Sequence, residues 1–274
     1  SCFSLYLSLC VAFLSGLLDE VEVLPPRTKI LLQSIAAGIL IWGKNIIPFF
    51  DIFFIDCFIT IFCIIYLVNI INMFDNIDLG LGPLLFLVIF FIFTQIYSYS
   101  DYFIIFIILS YLSGLIIFIK FNIYPSKIFM GDMGSFQSAI LLCFLLIELF
   151  FVNSNTLTNK FSIYENFFII SLVIPIFIYD FFYVTLLRIK NKKNIFVGDT
   201  NHLNHKINVI TKNPNITFWY LFLLNFFSIL VSLYLLNKNF DSLYLFLIII
   251  LTHFINLLIL RLILLNKISF MKFN

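Results

Sequence analysis

The sequence predicts an all-α fold: a polytopic membrane helical bundle of about nine transmembrane helices, with a polar cleft on its cytoplasmic face. Three observations carry this expectation. Of 274 residues, 62% are hydrophobic and 11% charged, against about 45–50% and 25% in soluble domains. The apolar residues run in stretches of about 20, the length a helix needs to cross a bilayer. The cations gather on alternate connections, as the positive-inside pattern requires.

Residues 1–18 form the first expected span, because they carry neither a basic leader nor a small-residue cleavage site and so do not read as a signal peptide. The opening on Ser1 in place of Met leads us to expect residues upstream. The second span, 30–48, is the weakest, since Lys44 and Asn45 interrupt it before Pro48. Spans at 52–73, 79–97, 102–121, 134–152, 166–187, 216–236 and 242–265 complete one integral membrane domain over residues 1–274. Cys2, Cys10, Cys57, Cys63 and Cys143 all lie in apolar runs and behave there as small hydrophobes, not as a disulfide framework.

Arg27, Lys29, Lys120, Lys127, Arg188, Lys190, Lys192, Lys193, Lys206, Lys212, Lys267 and Lys272 fall on one side of these spans, and only Lys44, Lys160 and Lys238 on the other. The first side is therefore expected to face the cytoplasm, which also places the C-terminus inside. The same division sorts the polar residues, for Asp19, Glu20, Asn69, Asn72, Asp75, Asp78, Asp132, His202 and His205 all fall in or beside cytoplasmic connections. A single loop carboxylate is ordinarily solvated charge; a gathering of them on one face implies a site.

The gathering has three parts. "GLLDE" ends the first span with Asp19 and Glu20, and "NIINMFDNID" ends the third with Asn69, Asn72, Asp75 and Asp78 at three-residue intervals. Residues three apart share a broad helical stripe, so Asn69, Asn72 and Asp75 can face into the bundle, where an amide avoids being stranded in hydrocarbon. "KIFMGDMGS" puts Asp132 between two glycines before the sixth span, either as an anion seat at a helix start or as a plain turn with Ser135 as N-cap. Within spans, Asp56 and Glu148 lie near outer ends, while Asp180 lies in the cytoplasmic half of its helix and so calls for a partner.

The longest basic loop carries His202 and His205 in an H-x-x-H arrangement, without a third His or Cys for a structural zinc. Those histidines are suited to hydrogen bonding with phosphates. Hard carboxylate and amide oxygens favour Mg²⁺, with Mn²⁺ as the alternative, held through one or two carboxylates together with substrate phosphates. Phosphoryl transfer at a membrane surface is the chemistry these groups suggest.

In these motifs the chain resembles the polyprenyl-phosphate N-acetylhexosamine-1-phosphate transferases, bacterial membrane enzymes that begin lipid-linked glycan assembly. The likeness runs in order through "GLLDEVEVLPPRTKILLQ", "NIINMFDNID", "KIFMGDMGS" and "IPIFIYDFFYVTLLRIKNKKNIFVGDTNHLNHK". It implies that polyprenyl phosphate, such as undecaprenyl phosphate, attacks the β-phosphorus of a UDP-N-acetylhexosamine, leaving a polyprenyl-diphosphate sugar and UMP. By the match, Asp132 and Asp19 are the expected metal ligands, and Asp19 also deprotonates or orients the lipid phosphate. Glu20, Asp75 and Asp78 complete the catalytic set, with Asp75 and Asp78 organising metal and nucleotide. Asn69, Asn72, Asp180, His202 and His205 form the expected substrate-binding set.

The resemblance also implies a bacterial inner-membrane enzyme of O-antigen, lipopolysaccharide or cell-wall polysaccharide synthesis, lacking the first one or two helices of its family. A homodimer is compatible with it, and no nucleic-acid partner is expected. Departures stand at Glu20 for a second Asp, at Asn76 and Leu79 for glycines, and at "HLNH" for a denser histidine core, with Thr200 where an Arg is usual. The sparser histidines favour the surface-polysaccharide branch over the muramoyl-pentapeptide branch. A secondary transporter is the alternative reading, and it predicts polar residues at mid-membrane and internal repeats. An intramembrane aspartyl protease would need Gly-x-Gly-Asp, where Phe129 takes the first glycine's place.

Overall fold

A computed structural model of the protein describes residues 2–75, 77–97, 102–152, 160–192, 202–238 and 240–270. Among these residues every regular element is a helix: α1 (Cys2–Glu22), α2 (Pro26–Trp42), α3 (Phe53–Phe74), α4 (Gly82–Ile96), α5 (Tyr102–Asn122), α6 (Gly131–Ile147, continued by a π-helical turn Glu148–Val152), α7 (Ile163–Val173), α8 (Pro175–Lys190), α9 (Leu203–Thr211), α10 (Pro214–Asn237) and α11 (Ser242–Phe270). The all-helical bundle follows from composition: a membrane gives backbone groups no water, and a helix satisfies them within itself.

Six of these helices are long and apolar enough to cross a membrane: α1, α3, α5, α6 with its π turn, α10 and α11. A seventh crossing is made if α7 and α8, bent by 85° at one break, are taken as one span. The expected count of nine is not recovered. With 17 and 15 residues, α2 and α4 extend only about 25 Å and 22 Å at 1.5 Å per residue, short of a hydrocarbon core of about 30 Å. Lys44, at φ 70°, sits just past the end of α2 in the left-handed region, so the polar interruption seen at Lys44 and Asn45 is where that helix stops. The expected span 166–187 is broken at Ile174 because Pro175 has no N–H to continue the ladder.

The central element is α6. Its most apolar window is 78% buried, against 22–39% in the other five long helices, so it is the axis around which α1, α3 and α4 pack. Lipid tails are as apolar as Leu, so helices in a membrane associate through close packing, which favours small residues at contacts. Ser4, Ser8, Ala12 and Gly16 recur every fourth residue on α1, and the first three are almost wholly buried. Ser8 donates to the Ala36 carbonyl of α2 at 2.8 Å. A Cβ on Gly16 would lie 2.5 Å from the Asp132 carbonyl oxygen and from Met133 Cα. The stripe meets α2 at Ser4 and Ser8 and the first turn of α6 at Gly16, which delivers the last turn of α1 to the start of α6.

Candidate active site

The end of α1, the end of α3 and the start of α6 meet at one end of the bundle. There the Asp19 carboxylate hydrogen-bonds with that of Asp132. Asp19 is 4% exposed, is ion-paired with Lys29 of α2 and accepts from the Leu24 N–H at 2.8 Å. Two carboxylates in contact repel unless a proton or a cation lies between them. Glu20 turns to the backbone instead, its Oε1 accepting from the Met133 N–H at 3.2 Å. A side chain at Gly131, which has φ +66°, would meet that Oε1 at 2.2 Å. The anion seat expected at the start of α6 thus holds the protein's own Glu20. Ser135, read as a possible N-cap, lies within α6, which begins at Gly131.

From α3 come the amides. Ser135 Oγ donates to Asn72 Oδ1 at 2.6 Å, which turns the Asn72 Nδ2 towards the Asp132 carboxylate, with which it hydrogen-bonds. One turn earlier, Asn69 donates to Gln33 Oε1 at 2.9 Å and to the Ile65 carbonyl at 2.7 Å. Gln33 is buried, and its Nε2 has no hydrogen-bond partner. Asp75 ends α3 and accepts from the Gly131 N–H, next to Asp132; burial pushes its carboxyl up to about 6, against the pull of that hydrogen bond. Asp78 is turned away from the pair, its two oxygens accepting from Ser126 Oγ at 2.7 Å and Ser126 N at 3.2 Å. It ties down the loop between α5 and α6. Leu79 occupies the left-handed region at φ 57°, where glycine fits best, and its N–H donates to Asn122 Oδ1 at 2.9 Å.

The histidine segment reaches the same end of the bundle. Asp180 of α8 is 1% exposed and accepts from His202 Nδ1 at 2.7 Å and from the Leu203 N–H at 2.6 Å. A carboxylate on Nδ1 fixes the ring orientation and leaves Nε2 for other contacts. Asn204, which stands where a denser histidine core was expected, donates to the Phe74 carbonyl at 3.3 Å and so docks the start of α9 against the residue preceding Asp75. Burial, and the neighbouring charge of His202, hold the His205 imidazole below its ordinary value, although Asp180 opposes this. Asn76 and Thr200 lie outside the described residues.

Asp19, Asp132 and Asn72 are therefore joined, with Asp75 on the Gly131 N–H and Glu20 on the Met133 N–H beside Asp132, while Asp180 and His202 are linked to this end of the bundle through Asn204 and the Phe74 carbonyl. Asn69 and Asp78 are held by other partners. Among the described residues, no three His, Cys, Asp or Glu side chains are grouped closely enough to hold a metal by themselves. A pair of carboxylates in contact with an adjacent amide still fits Mg²⁺, which takes one or two carboxylates and completes its shell with phosphate and water oxygens. Asp56, near an outer end, is buried and accepts from the Phe50 N–H at 2.8 Å.

Sequence reasoning missed Gln33 and Ser135 as partners of the asparagines, and took Lys29 for a topological cation. The four-residue interval from Lys29 to Gln33 places both on one helix face and was the available signal. A separate apolar cavity of about 290 Å³ lies between α3, α6, α7 and α8, with Phe62, Tyr66, Leu146, Phe167 and Ile178 among its walls.

Residues 2–150 match the family model described as glycosyl transferase family 4. Over 229 residues, 78% of the chain, the sequence is 26% identical to a Bacillus subtilis protein named "Probable undecaprenyl-phosphate N-acetylglucosaminyl 1-phosphate transferase", of which the match covers 60%. Over 140 residues it is 28% identical to a Streptococcus agalactiae phospho-N-acetylmuramoyl-pentapeptide-transferase, covering 47% of the chain and 41% of that protein. A Dictyoglomus turgidum protein of the same name is 30% identical over 140 residues, 45% of each chain. The chain spans between about two fifths and three fifths of the length of these relatives.

Proposed function

The chain belongs to glycosyl transferase family 4, and on that premise we propose that it transfers a HexNAc-1-phosphate from a UDP-N-acetylhexosamine to polyprenyl phosphate. An oxygen of the lipid phosphate bonds to the β-phosphorus, the bond from that phosphorus to the bridging oxygen breaks, and UMP leaves with the oxygen. The products are UMP and a polyprenyl-diphosphate sugar. The observation that carries this reading is the contact of Asp19 with Asp132, residues from two different helices joined beside an asparagine already turned towards them.

Asp132 and Asp19 would hold Mg²⁺, which when bound neutralises charge on the diphosphate. Lys29, paired with Asp19, adds positive charge where phosphates would lie. The Asn72 amide, its far end held by Ser135, keeps the Asp132 carboxylate in one orientation. Asp75 fixes the Gly131 turn from which Asp132 projects. Asp78 acts at one remove, by anchoring the loop that leads into α6. His202, with Nδ1 on Asp180, presents Nε2 to a phosphate oxygen. Such a reaction depends on positioning and charge stabilisation more than on proton transfer. The apolar cavity beside α8 suits part of a prenyl tail. A site on the cytoplasmic side of a bacterial inner membrane, which the gathering of cations beside these motifs supports, would give it access to nucleotide sugars.

The test is UMP release by membranes carrying the protein together with any upstream residues it has. A panel of UDP-N-acetylhexosamines should give UMP only with polyprenyl phosphate and Mg²⁺, and chelation should stop it. Asp132→Asn should reduce release by about 100- to 1000-fold, the scale of losing one charge-stabilising group. Release indifferent to Asp132→Asn would remove the metal role, and release without polyprenyl phosphate would remove the acceptor.

A further inference from the structure

Beyond the residues matched by the family model, α7, α8, α10 and α11 share a hydrogen-bond chain that is half-buried at Ser171 and His253 and buried at Tyr179, Asn256 and Ser228. Ser171 lies three residues before the α7–α8 break at Ile174, and Tyr179 five residues after it. His253 of α11 bonds to both, Nε2 to Ser171 Oγ at 2.8 Å and Nδ1 to Tyr179 OH at 2.6 Å. The proton directions follow from donor counting. Ser171 spends its only hydroxyl proton on the Phe168 carbonyl at 2.6 Å, so it accepts from His253 Nε2–H. A neutral imidazole then has Nδ1 as acceptor, and Tyr179 donates to it. Asn256 of α11 completes the chain by donating to Tyr179 OH at 3.4 Å and to Ser228 Oγ of α10 at 2.7 Å.

The backbone hydrogen-bond ladder does not continue through the bend. Pro175 has no N–H with which to reach the Ser171 carbonyl four residues back, so the ladder that would set the angle between α7 and α8 is missing at the break. The 85° bend therefore needs an outside constraint, and His253 grips both arms within about one turn of the break. The residue after Tyr179 is Asp180, which orients His202.

We propose that His253 is a positioning residue: it fixes the bend between α7 and α8 and, through the Tyr179 end of α8, the placement of Asp180 and His202. The link to turnover rests on the transferase reading above; the clamp itself does not. A carboxamide also offers one donor and one acceptor, so Gln can stand in for the imidazole, whereas Leu fills a similar volume and offers neither.

Two measurements test this. In a cysteine-free background, spin labels at Tyr164→Cys on α7 and Leu186→Cys on α8, both exposed positions, report the bend as a distance distribution. With His253 present the distribution should be single and narrow; His253→Leu should broaden or shift it, and His253→Gln should restore it. An unchanged distribution in His253→Leu overturns the clamp. Should His253→Leu fail to fold, Tyr179→Phe removes one hydroxyl and is read in the same way.

For turnover, His253→Leu should lower kcat/KM for UMP release by about tenfold, part of the roughly 100-fold that a 1 Å misplacement can cost. The loss should vanish on an Asp180→Asn background. Losses that multiply instead would show that His253 does not act through Asp180. If no variant, nor the parent, releases UMP, the transferase reading fails while the label distances still decide the clamp.

Discussion

The two polar regions of this molecule are built on opposite terms. At the helix ends around Asp132 the groups are charged, and each carboxylate is engaged by a backbone N–H, a lysine or another carboxylate. Along α11 the network consists of neutral groups, a serine pair, a tyrosine, an asparagine and an imidazole, with donors running outward from Asn256 to Ser228 on one side and through Tyr179 and His253 to Ser171 on the other. The difference follows from depth. An Asp, Lys or Arg at the centre of a membrane helix costs about 2.5–3.5 kcal/mol on insertion scales, so charge gathers where helices end and connecting backbone offers donors. Neutral groups can lie deeper provided they find partners. The first region is suited to binding a charged, phosphate-bearing substrate, and the second to holding helices at a fixed angle.

The sharpest way to break this contrast acts on packing. A Cβ at Gly16 meets the backbone of α6 at 2.5 Å, whereas at Gly38 of α2 and Gly114 of α5 nothing lies within 4 Å. Backbone atoms cannot rotate out of the way, so Gly16→Ala must push α1 from α6 and part Asp19 from Asp132. It should lower thermal stability in detergent by about 1–3 kcal/mol, as overpacking does, and reduce UMP release by roughly 100-fold. Gly38→Ala and Gly114→Ala should instead leave release intact and gain up to about 1 kcal/mol from helix propensity. Three glycines behaving alike would mean that the charged cluster tolerates separation of its helices.

A smaller effect is expected at the junction of the two regions. Asp180 lies beside Tyr179 of the neutral network, yet its bonds go to His202 and Leu203. A thermal-unfolding double-mutant cycle between Asp180→Asn and His202→Ala should give a coupling of about 1.5–3 kcal/mol, the range of hydrogen bonds to charged groups. Additive losses would show that the carboxylate serves the Leu203 N–H alone and that His202 is placed by something else.

The charged region was legible in the sequence and the neutral one was not, for a physical reason. Asp19, Asn72, Asp75 and Asp132 fall at the edges of long apolar runs, where polarity against a uniform background marks them, and the three-residue interval of Asn69, Asn72 and Asp75 signals one helix face. The all-helical class followed from the same contrast. Ser171, Tyr179 and the His253–Asn256 pair stand on three different helices, and although that pair is three residues apart on α11, no spacing connects α7 or α8 with α11 before the chain folds. Pro175 was visible, but a proline alone does not state whether a span kinks or breaks by 85°. The early end of α2 was signalled by Lys44 and Asn45, whereas the shortness of α4 was hidden because hydropathy counts apolar residues, not the turn at Leu79 that precedes the helix. Asp78 and Glu20 were placed in the right neighbourhood, while their direct partners, the Ser126 and Met133 backbone and the Ser126 hydroxyl, depend on loop geometry that spacing does not encode.

The smallest predicted effect concerns one hydroxyl. Ser135 is wholly buried in α6, and its donation to Asn72 Oδ1 leaves the Asn72 Nδ2 facing Asp132. In Ser135→Ala the oxygen of that amide loses its donor, and only the bond from Nδ2 to the Asp132 carboxylate still favours this orientation of the carboxamide over its flip. The stability cost should be about 1 kcal/mol, that of a neutral hydrogen bond, while Ala's higher helix propensity returns a few tenths. Release of UMP should fall only a few-fold, because Asp132 keeps its contact with Asp19. Ser135→Thr restores a hydroxyl and should recover most of the loss if its methyl is accommodated. A drop as large as that of Asp132→Asn would instead place the Ser135 hydroxyl on the substrate and make Asn72 its secondary partner.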